Sequence, residues 1–213
     1  KADTECIRYC KRTPDNGLRD GIQPLFVCVH RCSSVAQLLS AGCGLGRSGH
    51  LFAADEFGVE PDVITLAKSL AGGVPIGAML AKEEPAQSLV AGTHAATFGG
   101  NPLSCAAGVA AFQTIVDEKL PERSRALGGR FKERLLALQR KHEAIVEVRG
   151  LGLMLGVQLT FPAADALAFL RERGILAGTA GPEVLRFLPP LIVEEDELLA
   201  SAEVLDEFLT TRR

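Results

Sequence analysis

From residue 43 to residue 208 the sequence alternates short apolar stretches of strand character with longer stretches whose apolar residues recur at helical spacing. This alternation restricts the chain to an α/β architecture. PDVITLA, with Pro61 tolerated at its start, and GAMLA read as strands. HLFAADEFGV reads as a short helix ended by Gly58. A long helix is expected from near Pro102, a residue suited to a first helical turn. It runs as LSCAAGVAAFQTIVDEKL to a break at Pro121 and resumes as ERSRALGGRFKERLLALQRKH. AIVEVRG and LMLGVQLT then read as strands, ADALAFLRERG as a helix, VLRFLPPLIV as extended and EEDELLASAEVLDEFL as the last helix. The long helices read as a connector, giving one α/β part over residues 43–122 and a second over 123–213.

Residues 1–42 read differently. Four of the six cysteines, Cys6, Cys10, Cys28 and Cys32, fall there, and no sustained periodicity appears beyond PLFVCV and SVAQLL. Two C-x3-C pairs with His30 inside the second leave a zinc site open, although the turn glycines of zinc knuckles are missing. Unpaired reduced thiols are the default expectation for a cytoplasmic chain, and no metal is expected. The abrupt change at Cys43 suggests a segment of different origin joined to the rest. Chain length, at 213 residues, is ample for a core, and 47% hydrophobic with 23% charged residues is the balance of a soluble globular protein. A net charge of −3 does not favour nucleic acid or an anionic membrane surface. No apolar run reaches the ~18 residues of a membrane span, and the first residues show no signal-peptide core.

Two motifs bear on chemistry. Gly44, Gly46 and Gly49 spell G-x-G-x-x-G, a dinucleotide fingerprint only where a strand precedes it and a proper helix follows. The short helix that follows, and Asp62 at the start rather than the end of its strand, favour a plain glycine turn; a nucleotide module stays open as the alternative. Lys68 follows the strand PDVITLA directly, with Gly72 and Gly73 close behind. Ligands collect at the C-terminal ends of strands in α/β sheets. A lysine in apolar surroundings there loses basicity and becomes an amine nucleophile, able to form a Schiff base with an aldehyde. Neighbouring glycines let a planar ring approach the backbone.

Five stretches carry a resemblance: GLGRSGHLFA, GVEPDVITLAKSLAGGVPIGAM, GTHAATFGGNPL, VRGLGLMLGV and AGPEVLRFLPPLIV. In order and spacing they resemble the class III, pyridoxal-phosphate-dependent aminotransferases, and the last two are similar to the acetylornithine branch. The resemblance covers roughly four-fifths of the chain, but only the C-terminal half of a family member, which is about twice this length. It implies a truncated fold-type I α/β architecture: part of the large-domain sheet plus the small C-terminal α/β domain. It implies pyridoxal 5'-phosphate as cofactor, an amino donor and a 2-oxo acid as substrates, and a homodimer. Transfer from N-acetylornithine to 2-oxoglutarate, in arginine biosynthesis, is the reaction implied. Lys68 matches the lysine that carries the cofactor and moves the substrate Cα proton. Thr97 matches a threonine that bonds the cofactor phosphate of the partner subunit, and Arg186 the arginine that holds the substrate α-carboxylate.

The sequence departs from the family where D-E-V-Q normally precedes the glycine block, since Leu39, Ser40, Ala41 and Gly42 stand there. The missing aspartate keeps the pyridine ring protonated in the family and so an effective electron sink. Such a carboxylate favours the protonated ring by about 1.4–4 kcal/mol. Ala96 also stands where the acetylornithine branch usually has serine. A non-catalytic remnant is therefore the second reading of the chain.

Overall fold

A computed structural model describes residues 44–212 apart from His94, together with the backbone of Tyr9–Cys10. The zinc reading of Cys6, Cys10, Cys28, Cys32 and His30, and the departures at positions 39–42, lie outside the described residues. Among the described residues no group of His, Cys, Asp and Glu is placed to hold a metal, and no helix is long and apolar enough to cross a membrane. The chain divides into two compact units. One comprises Lys1–Gly46 and His50–Lys119, the other Arg47–Gly49 and Leu120–Arg213.

In the first unit, β1 (Tyr9–Cys10) pairs antiparallel with β2 (Glu60–Pro61). The helix α1 (Ala53–Glu56) is a single turn, closed by Gly58 at φ +60°. The β-branched run of β3 (Val63–Leu66) pairs antiparallel with β4 (Ala78–Ala81), Val63 facing Ala81 and Leu66 facing Ala78. Between these strands a 3-10 turn, Lys68–Ala71, leads into Gly72 and Gly73, both with positive φ. A short helix, α2 (Glu83–Ala86), follows. The longer α3 (Pro102–Asp117) has Pro102 at N1, and its N-cap Asn101 accepts from the amides of Leu103 and Ser104. Its Gly108 and Ala111 are the small residues against which the 3-10 turn rests. A Cβ on Gly108 would meet Leu70 O at 3.8 Å, and one on Gly72 would meet Ala111 Cβ at 3.9 Å.

The expected break at Pro121 lies two residues earlier. Lys119 turns left-handed at φ +52° after α3, and Pro121 sits inside the first turn of α4 (Leu120–Lys141), where its missing N–H costs nothing. In this second unit α4 buries Leu127, Phe131, Leu135 and Leu138, a stripe at three- and four-residue intervals. That stripe covers an antiparallel sheet of order β5-β6-β8-β7, made by Ile145–Leu151, Met154–Leu159, Val184–Phe187 and Gly178–Thr179. Burial alternates along β6 with period two, Leu155, Val157 and Leu159 pointing to the core. Ala163, Ala166 and Leu170 of α5 (Ala163–Glu172) and Leu198, Ala202, Leu205 and Leu209 of α6 (Glu195–Thr211) complete it. Glu194 and Glu197 form a capping box at the start of α6.

Candidate functional site

Lys68 is the first residue of the 3-10 turn and lies at the C-terminal exit of β3. Ala67 before it is extended, and Lys68 itself adopts φ +59°, a left-handed conformation uncommon for a residue with a side chain. Holding a lysine there costs on the order of 1 kcal/mol. The surroundings show what maintains it. Leu66, Leu70 and Ala71 are buried, while Lys68 and Ser69 between them are exposed. The apolar neighbours take the inward positions of the turn and leave the amine facing outward. Among the described residues the apolar environment expected for Lys68 is therefore absent: Leu66, Leu70 and Ala71 are buried, whereas Lys68 is exposed.

A Cβ placed on Gly73 would meet no described atom within 4 Å, so the backbone beside Lys68 is open to a flat group. Thr97 lies in the turn leading to α3 and is exposed. That turn is held by Gly99 N donating to Ala96 O at 3.0 Å and Asn101 N to Phe98 O at 3.3 Å, with Gly100 at φ +70° and nothing described within 4 Å of its Cβ position. Lys68 and Thr97 thus belong to the first unit, each on a glycine-rich loop.

Arg186 belongs to the second unit, on β8, between the buried Leu185 and Phe187. Alternation along the strand directs it to the exposed face. Phe187 is fixed in the core by an edge-on contact with Phe131, with centroids 5.3 Å apart and planes at 88°. Across the sheet Arg186 faces Gly156 on β6 and Gly178 on β7. Its Nη2 lies 3.6 Å from where a Gly178 Cβ would be. Glycine on both sides leaves the guanidinium room, and among the described residues no ion pair or hydrogen bond engages it. A salt-bridged structural arginine does not fit that environment; a fork available to a carboxylate does.

The G-x-G-x-x-G block does not open a helix as a dinucleotide site requires. Gly46 N donates to Leu51 O at 3.2 Å, the helix that follows is the four-residue α1, and Gly49 carries its carbonyl to Arg125 Nη2 at 2.7 Å. The nucleotide alternative built on Gly44, Gly46 and Gly49 is set aside on that geometry. Sequence reasoning passed over Arg47 within the same block, whose only signal was a charged residue inside a glycine turn.

The described residues suit the group that the resemblance implies in two respects. Lys68 offers an accessible amine to an aldehyde, and Thr97 offers a hydroxyl beside open glycine backbone to a phosphate.

The family model for class-III aminotransferases matches residues 41–209. The acetylornithine aminotransferase of Methanocaldococcus jannaschii is 48% identical over 172 residues, covering 79% of this chain and 42% of that protein. Ornithine aminotransferase 2 of Staphylococcus aureus is 48% identical over 170 residues, with coverage of 79% and 42%. Among solved structures, the ornithine aminotransferase of Toxoplasma gondii, with PLP at partial occupancy in its active site, superposes with a TM-score of 0.74. It is 37% identical, and the match covers 79% of this chain and 42% of that one. The chain thus spans less than half the length of these relatives.

Proposed function

The chain belongs to the class-III aminotransferases, and from that membership we propose that it is the carboxyl-terminal half of an enzyme moving an amino group from N-acetylornithine to 2-oxoglutarate. The observation that carries the reading is Lys68, held in a strained left-handed conformation with its amine exposed at the exit of β3. Strain of that kind persists where the surroundings over-determine it, which is a mark of functional loops. Residues 43–122 represent the end of the large cofactor-binding domain with its connector helix, and 123–213 the small domain.

Pyridoxal phosphate, when bound, supplies the electron sink that makes a substrate Cα proton removable. Lys68 would hold the cofactor through Nζ and would then serve as the base that takes the proton from Cα. The Thr97 hydroxyl would donate to the phosphate of a neighbouring copy's cofactor, so the active form in this reading is a homodimer. Arg186 grips the α-carboxylate with two parallel N–H bonds and so fixes the Cα–H bond for transfer. The relatives at equal identity act on acetylornithine in one case and ornithine in another, by their names. The similarity of VRGLGLMLGV and AGPEVLRFLPPLIV to the acetylornithine branch favours the acetylated donor.

The second reading, a non-catalytic remnant, rests on Leu39 standing where the ring-protonating aspartate is expected. Both readings place the cofactor on Lys68. Incubation with pyridoxal phosphate, borohydride reduction and peptide mapping tests that shared premise. The label is expected on the Lys68 peptide and lost in Lys68→Ala. Label spread evenly over the surface lysines overturns the assignment.

A further inference from the structure

We propose that Arg47 is a positioning residue for Arg186, substituting for the ladder hydrogen bond that Pro189 cannot donate. The inference rests on reading Arg186 as the carboxylate fork, and it starts from the register between β6 and β8. Leu155 faces Phe187, Gly156 faces Arg186, Val157 faces Leu185, and Leu159 N donates to Glu183 O at 2.8 Å. In an antiparallel pair the hydrogen-bonded positions recur at every second residue. One further step of the series Leu159–Glu183, Val157–Leu185 and Leu155–Phe187 would set Leu153, in the turn before β6, opposite Pro189, two residues past the end of β8. There Pro189 has no N–H to give to Leu153 O, so that carbonyl needs another donor.

Arg47 occupies the gap. Its Nη1 donates to Pro189 O at 2.6 Å and to Leu153 O at 3.2 Å, the two carbonyls that the missing pair would have joined. Leu153 N donates to Arg47 O at 2.9 Å, so the backbone of Arg47 takes the amide while its side chain takes the carbonyls. Ser124 Oγ on α4 secures the same carbonyl at 2.8 Å and accepts from Leu153 N at 3.2 Å. Gly152 is obligatory beside this junction. At φ +51° a Cβ would stand 2.3 Å from Arg47 O. Beyond Pro189, Arg123 continues the same kind of support, donating to Leu191 O at 2.9 Å and Val193 O at 2.7 Å.

The consequence falls on Arg186, three residues before Pro189. With glycine on either side, no neighbouring side chain braces its guanidinium, so its aim is set by the backbone of β8. That strand is only four residues long. A guanidinium that ties the far end of β8 to the start of β6 prevents the strand from peeling at the residue that meets the substrate.

The test uses the 213-residue chain and 2-oxoglutarate as probe, with affinity read by calorimetry and local order by amide hydrogen exchange. Arg47→Gln is expected to weaken 2-oxoglutarate binding roughly tenfold, as a misaligned fork gives up part of a bidentate contact. Exchange at Phe187 and Leu155 should rise while Val148 on β5 stays protected. Restoring a backbone donor with Pro189→Ala in the Arg47→Gln background should recover most of the loss, a rescue that general destabilisation does not produce. Arg47→Lys, keeping one donor, should lie between and serves if Arg47→Gln fails to fold. Affinity within about twofold of the parent, or failure of Pro189→Ala to rescue, overturns the proposal. An affinity insensitive to Arg186→Lys, or no binding by the parent, instead overturns the carboxylate reading of Arg186. The exchange pattern then decides the Arg47 clamp by itself, and unchanged protection at Phe187 rejects it.

Discussion

Leu135, Leu159, Leu170, Leu185 and Leu205 are fully buried in the second unit, whereas α3 of the first leaves Leu103 and Val109 exposed to 75% and 58%. Both units are rich in apolar residues, so composition does not separate them. The second has a four-stranded sheet with three helices supplying its core. Among the described residues the first has two two-stranded pairings, too little sheet to be stable unaided. Its α3 carries no charge over residues 102–116, the composition of a helix covered on every side, yet the described residues cover one face of it. The difference bears on which unit relies on residues outside it. The second unit is closed around its own core. The first, which carries Lys68 and Thr97, has the residue pattern of a buried piece of something larger.

Turnover is where that contrast should have its largest effect. The chain alone, saturated with pyridoxal phosphate, should transaminate acetylornithine at or near background, with Lys68→Ala as the inactive control. In the proposed reading, loss of the ring-protonating carboxylate by itself removes about 10- to 1000-fold, and the amino-terminal half of such an enzyme would have to supply further contacts to the cofactor. Leu39→Asp should therefore restore nothing on its own, whereas an amino-terminal half carrying D-E-V-Q should. Robust turnover by the unmodified chain would show that the first unit is complete after all.

Stability provides the next test, with opposite outcomes in the two units. A Cβ on Gly128 of α4 would lie 2.1 Å from Gly152 O and 2.7 Å from Gly152 Cα, where no flexible side chain can yield. Gly128→Ala should cost more than about 3 kcal/mol in denaturant unfolding. Val109→Ala on the exposed face of α3 should fall within about 0.5 kcal/mol of the parent. A costly Val109→Ala would mean that α3 is covered in solution, and the contrast between the units would narrow.

What was legible in the sequence follows the same line. The amphipathic stripe of α4, the alternation of β6 and the glycine-ended α1 were visible because each is a local pattern of period ~3.6 or ~2 or a terminal signal. The two-residue β7 was not, since Gly178–Thr179 has no side-chain pattern to read. The break between the long helices was misplaced at Pro121 because Lys119 gives no sequence sign of a left-handed turn. The position of Lys68 at a strand exit was readable; its conformation and exposure were not, as both depend on α3 packing beneath the turn. Arg47 was hidden for a plainer reason. Its partners Leu153 and Pro189 lie 106 and 142 residues away, and no window of sequence spans them.

The smallest expected effect concerns the closed unit and pH. Asp206 on α6 accepts from Lys141 Nζ at 2.7 Å and meets His142 Nε2 at 2.5 Å, tying α6 to the end of α4. Burial works against its ionisation, but the bonds from Lys141 and His142 outweigh it and hold the carboxyl below the usual aspartate range. A carboxyl with a depressed folded-state pKa stabilises the fold above its unfolded value, near ~3.9, and loses that contribution as pH falls through the folded value. Asp206→Asn should therefore lower stability by about 1.5–3 kcal/mol at pH ~7, the range for a hydrogen bond to a charged group. The gap between parent and variant should stay constant down to about pH 5 and close progressively below that. In the variant, the buried His142 ring keeps a neutral partner in the introduced amide only if it presents the matching tautomer, so some of the loss at neutral pH is structural rather than electrostatic. That portion persists in acid, and the portion that vanishes measures the ion pair. A gap that remains unchanged down to about pH 3 would mean that the Asp206 carboxylate contributes through shape alone.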